Sequence, residues 1–135
     1  MVLADTHATE SWTYPKRSAA TRAPGPAPVI HDQAVLSDVT LGPWTEVGSR
    51  TNLNEVVMGA YSYIERDCLA NYATIGRFCS IAEGVNLNPG NHPMERAALN
   101  HFTYRAAWYG LGEDDAAFFQ RRRDKPVTLG NDVWI

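Results

Sequence analysis

No apolar run in this chain approaches the length of a membrane span, and residues 1 to 10 hold no apolar stretch of the kind a secretory signal needs. Neither a transmembrane helix nor a signal peptide is expected, and a soluble cytoplasmic protein is the default reading. Cysteine is scarce, at 2 of 135 residues, so there is no disulfide framework to look for and a reducing compartment fits. Basic charge is not in excess: the formal net charge is -3, which argues against a nucleic-acid-binding surface. The one basic run, Arg121-Arg122-Arg123 with Lys125, reads as a solvated helix end rather than a phosphate site.

What the chain has instead is a rhythm of six. Ile75-Gly76-Arg77-Phe78-Cys79-Ser80 and Ile81-Ala82-Glu83-Gly84-Val85-Asn86 each open on a bulky aliphatic followed by Gly or Ala, with a small or β-branched residue at the fifth place. Leu41-Gly42 and Val47-Gly48 open hexads of the same grammar. A triangular coil explains the period, because each hexad then makes one flat side and a corner. Residue one points into the prism, and residue five must fit a crowded inward place beside it. No rung buries its inner face alone, so several must stack. Alternating apolar residues bounded by Gly, Asn and Asp also suit an antiparallel domain, but about seven hexads in three frames make the period decisive.

The aliphatic places fall at Val29, Val35, Leu41, Val47 and Leu53, then in a shifted frame at Met58 and Ile64, with small Ser62 and Cys68 four residues on. A second shift restores the pattern at Ile75, Ile81 and Leu87, and the signal is weak near Ala70. Ile75 and Ile81 are expected to stack in one corner column. Cys68 and Cys79 hold fifth places, which points both thiols inward as packing groups.

Four stretches follow. Residues 1–28, rich in Ala, Thr, Ser and Pro, read as a mobile arm, and residues 29–87 as β-helix coils. Residues 88–127 form a long aromatic-rich loop, and the rhythm resumes over residues 128–135 with Leu129-Gly130-Asn131-Asp132-Val133-Trp134. Within the loop, acidic Glu113 to Asp115, basic Arg121 to Arg123 and Pro126 beyond predict a short helix aligned with its dipole. So aromatic an excursion needs something to pack against, and a neighbouring subunit would supply it.

The stretch from Ile75 to Ala82, the following Asn-Pro-Gly-Asn-His-Pro-Met94, the aromatic loop and Leu129 to Ile135 together resemble the hexapeptide-repeat xenobiotic acetyltransferases, which include the chloramphenicol and streptogramin acetyltransferases. Through Met58-Gly-Ala-Tyr-Ser-Tyr-Ile64 and Asn100-His-Phe-Thr-Tyr-Arg105 the chain looks closest to the transferase-like proteins encoded beside phosphonate-metabolism genes. The resemblance covers roughly residues 29 to 135. It implies an all-β, left-handed parallel β-helix, against the usual right-handed crossover rule, a homotrimer, and an enzyme moving acetyl from acetyl-CoA to a hydroxyl of a small-molecule acceptor between subunits. Carried over by motif, His92 matches the catalytic histidine and Trp134 the tryptophan bordering the site. Tyr61, Tyr63 and Asn91 fall where the acceptor pocket is expected.

The chemistry agrees with that placement. An alcohol attacks a thioester slowly unless its proton leaves as the bond forms, and histidine is the side chain matched to that work near neutral pH. Held between Asn91 and Pro93, His92 has a restricted backbone; on the residues alone it is an ordinary loop histidine. Relatives build most of the acetyl-CoA groove from coils after Trp134, and this sequence stops at Ile135, so its cofactor-binding residues are not among those present. Weak acetyl-CoA binding and a tendency to aggregate are the expectation, and a non-catalytic trimeric binding module is the alternative. A third reading is the γ-type carbonic anhydrase, which needs clustered zinc-binding histidines. The four here, His7, His31, His92 and His101, lie in separate parts of the sequence, so no metal is expected.

Overall fold

Seventeen residues, not eighteen, separate partners along the winding. The computed structural model describes residues 25–135, so the expected arm lies outside it save for residues 25–28. Strands β1 (Val29–Ile30), β3 (Glu46–Val47), β5 (Tyr63–Ile64) and β7 (Ser80–Ile81) stack in parallel as one sheet. A second sheet stacks β2 (Val35–Leu41), β4 (Asn52–Met58) and β6 (Leu69–Ile75). Above β6 lie both β8 (Asn86–Leu87), over Leu69 and Ala70, and β9 (Val127–Leu129), over Ala73 to Ile75. The chain is a left-handed parallel β-helix of about three turns. Among the described residues, no helix is long and apolar enough to cross a membrane.

Each turn has two sides of six residues and one of five. The short step between inward residues runs from Leu36 to Leu41, Leu53 to Met58 and Ala70 to Ile75, around the corner at Asp38, Glu55 and Tyr72, whose φ values are 52, 52 and 50°. The two frame shifts in the sequence are therefore one regular feature. It also corrects the first coil. Val35 is 57% exposed, while Leu36, in register with Leu53, packs on the core. Counting back six residues from Leu41 crosses the short step and lands one residue early. Val29 is buried as expected, whereas Ile30, in register with Val47, is half exposed on the first described rung.

A second correction concerns Ile75 and Ile81. Both are buried, but Ile75 stacks on Met58 and under Leu129, while Ile81 stacks on Ile64. They lie on successive sides of the prism, in different columns. Ala70, where the rhythm weakens, is a fully buried place in the column of Leu53 and Leu87.

The small inward places tie rungs together. Thr51 Oγ1 donates to the Glu65 carbonyl at 2.7 Å, and Ser62 Oγ to that of Gly76 at 2.8 Å. Cys68 and Cys79 do the same through sulfur, at 3.2 Å to Ala82 and 3.1 Å to Gly130. Both cysteines are buried and free, and burial pushes the Cys68 thiol pKa up. Gly42, Gly59 and Gly76, after the first three aliphatics of the Leu41 column, have a steric cause: a Cβ on Gly76 would lie 2.3 Å from the Gly130 carbonyl oxygen.

Residues 88 to 126 leave the prism at the Tyr72 corner, between β8 and β9. Helix α1 (Ala116–Arg123) occupies the predicted place, with Asp115 as N-cap accepting from the Phe118 amide at 2.8 Å. The excursion has a small core of its own, in which buried Tyr104 and Phe118 meet at 4.4 Å between ring centroids. Guanidinium groups of Arg105 and Arg122 cover the faces of Phe119 and Phe118, each at 4.7 Å, as cation–π partners.

Candidate active site

His92 stands where the chain leaves the prism. Buried Pro93 fixes the backbone on its C-terminal side, while the imidazole itself is exposed. The ring's Nδ1 lies 2.7 Å from the Leu99 carbonyl oxygen, which can only accept, so Nδ1 carries the proton and donates. In the neutral ring Nε2 is then left with its lone pair free, the tautomer a general base needs. The Tyr104 hydroxyl is 3.4 Å from Nδ1, a long contact that shapes the surroundings more than it binds. His101 lies parallel to His92, with 5.7 Å between ring centroids.

A cavity of about 130 Å³ opens beside His92, lined among others by Asn88, Asn91, Phe118, Arg122 and Lys125. Arg122 Nη2 donates to the Asn91 carbonyl, and Gly90, at φ 95°, lies against the same guanidinium. This clamp sets the backbone immediately before the histidine.

The other expected residues gather at a different corner. Tyr61 turns it with φ 61° and stacks between Trp44 and Phe78, at 6.2 and 5.1 Å between centroids. Tyr61 and Tyr63 line a shared cavity of about 200 Å³ with Trp44 and Glu46. Trp134 bridges Ser80, which pairs with Tyr63, so Tyr63 and Trp134 stand in one column two rungs apart. At 84% exposed, Trp134 packs little against its own chain. Among the described residues, no hydrogen bond or ring contact joins His92 or Asn91 to Tyr61, Tyr63 or Trp134.

Sequence reasoning missed Leu99, Tyr104, His101 and Arg122 around His92, and Trp44 and Phe78 around Tyr61. The recurrence of Trp44, Tyr61 and Phe78 at one spacing was a signal that could have been read. It also missed the pairing of His31 with Glu46, 2.6 Å from Nε2 to carboxylate, in a cavity of about 250 Å³ shared with Tyr63, Glu65 and Arg66. Among the described residues, no three His, Cys, Asp or Glu side chains gather as metal ligands, and His7 lies outside them. No family model, no curated protein and no solved structure matches the chain.

Proposed function

We propose that this chain belongs to an acetyl-CoA-dependent O-acetyltransferase of the hexapeptide-repeat type, with His92 as general base. The observation that carries this reading is the imidazole itself, pinned through Nδ1 to the Leu99 carbonyl and presenting Nε2 on an exposed loop beside a cavity. Such a base takes the acceptor's hydroxyl proton as its oxygen attacks the thioester carbonyl carbon. The tetrahedral intermediate then collapses, expelling the CoA thiolate, which recovers the proton from the imidazolium. The motifs around His92 and Trp134 and the β-helix support the assignment.

The active unit in this reading is a homotrimer. Met94, Leu99, Phe102, Trp108, Tyr109 and Leu111 of the excursion are large, apolar and exposed in the single chain, a surface that a neighbouring copy would cover. The same contact would bring the His92 loop of one copy to the Tyr61, Tyr63 and Trp134 face of the next.

The test is CoA release from acetyl-CoA over a panel of hydroxylated acceptors, using the chain and a version carrying whatever coding sequence continues beyond Ile135. His92→Ala should lower turnover by about 10² to 10⁴. Near-normal turnover in a folded His92→Ala protein removes the assignment. Sedimentation should give three times 15.0 kDa, and a monomer would remove the shared site.

A further inference from the structure

The basic run read from the sequence as one solvated helix end has three separate roles in the structure. Arg123 leaves the helix for Glu55 on the coils, at 2.8 Å. Arg121 reaches Glu95 only at 3.7 Å. Arg122 is partly buried, with its guanidinium over Phe118 and Tyr104 at 4.7 and 5.3 Å. One of its nitrogens holds the Asn91 carbonyl, while its Nε is buried with no hydrogen-bond partner. A buried, charged N–H without an acceptor is an unusual thing to leave in a folded protein, and it calls for one. Lys125 lines the same cavity and makes no ion pair among the described residues.

The cavity beside His92 thus collects Arg121, Arg122 and Lys125, with the amides of Asn88 and Asn91, against the single carboxylate of Glu95, which already faces Arg121. The carbonyl end of α1 points the other way electrostatically, but it amounts to about half a charge against three whole ones. Since the chain as a whole is acidic, at net -3, this positive field is local. At about 130 Å³ the space holds roughly four waters, enough for a carboxylate or a tetrahedral oxyanion and too little for a nucleotide.

We infer that this cavity is an oxyanion-binding subsite, and that the acceptor of the transfer carries a carboxylate or phosphoryl-type group seated between Arg122 and Lys125, with its hydroxyl toward His92. The acceptor assignment rests on His92 being the base; the anion site does not.

Inorganic phosphate is the probe, titrated into the intact chain while the His92 ring resonances are followed by NMR. A saturable shift is expected, weakened about tenfold or more in Arg122→Gln and Lys125→Gln, the order of losing one charge-assisted hydrogen bond. Arg66→Gln, on the coils, should leave it unchanged. Because Arg122 also packs on Tyr104, the exposed Lys125 supplies the independent variant. No saturable shift, or equal affinity in wild type and Lys125→Gln, overturns the subsite. Displacement of phosphate by acetyl-CoA overturns the acceptor assignment, since the anion would then be the donor's. Phosphate binding without His92-dependent CoA release leaves the subsite standing and sinks the transfer reaction; transfer without a phosphate response does the reverse.

Discussion

Arg123 grips Glu55 across 68 residues of chain, its Nε 3.0 Å from both carboxylate oxygens and its Nη2 2.8 Å from Oε1. The guanidinium also lies 5.5 Å from the Tyr72 ring, so the end of α1 is tied to two successive residues of one corner column. The side chains are 43% and 31% exposed, so water screens the pair and its effect is local. Glu55→Gln should speed amide exchange in α1 about two- to fivefold while leaving the buried β4 and β6 amides unchanged. Uniform acceleration through both would show that the pair supports the whole fold.

Acid should loosen the excursion at its N-cap. The Phe118 amide, and then Arg96, hold the Asp115 carboxyl below the usual carboxylate range. A depressed folded pKa means that the stabilisation is fully present above the ordinary aspartate value, about pH 4, and is lost as pH falls through the folded value. The Phe118 amide should therefore lose protection in acid. Asp67, lowered by Arg50, carries the same sign on the coils. A Phe118 amide indifferent to acid would show that the cap contributes nothing.

Two aspartates test the register of the winding. Ile81→Asp buries an unpaired charge against Ile64 and should prevent soluble assembly. Val35→Asp, at a place 57% exposed, should change stability by no more than about 0.5 kcal/mol. Chemical denaturation of the two variants decides it: a damaging Val35→Asp would restore the straight hexad count.

Close packing between rungs predicts the effect of one methyl group. Gly76→Ala places a Cβ 2.3 Å from the Gly130 carbonyl oxygen, which belongs to the backbone and has little room to yield. The expected loss is about 1–3 kcal/mol in thermal or chemical unfolding, with β9 first to separate from β6. An unchanged midpoint would mean that the returning strand is held elsewhere.

The prism was legible in the sequence because its signal repeats: each aliphatic place reports on its neighbours, and Cys68 and Cys79 could be placed inside from spacing alone. Helix α1 was legible from Asp115 and Arg121 to Arg123, whose charges suit its two ends. The five-residue side was not, since Asp38, Glu55 and Tyr72 share no chemistry, only a backbone conformation that a side chain does not announce. At the site, His92 could be named from its motif. Its orienting group could not, because a main-chain carbonyl such as that of Leu99 leaves no mark on composition. Nor could the parting of Arg121, Arg122 and Arg123, whose partners Glu95, Asn91 and Glu55 come from distant segments.

Seen as a closure problem, the excursion is a small perturbation. Partners along the coils are 17 residues apart, whereas Asn131 meets Arg77 across 54. The longer loop costs about 1 kcal/mol more in chain entropy, since the penalty grows only with the logarithm of length. Contacts between coils are otherwise all equally local, so coils can form in chain order, each on the last. The rung that carries Trp134 is the exception: it has to wait for the excursion to return, which makes the edge bearing that tryptophan assemble after the coils that precede the excursion.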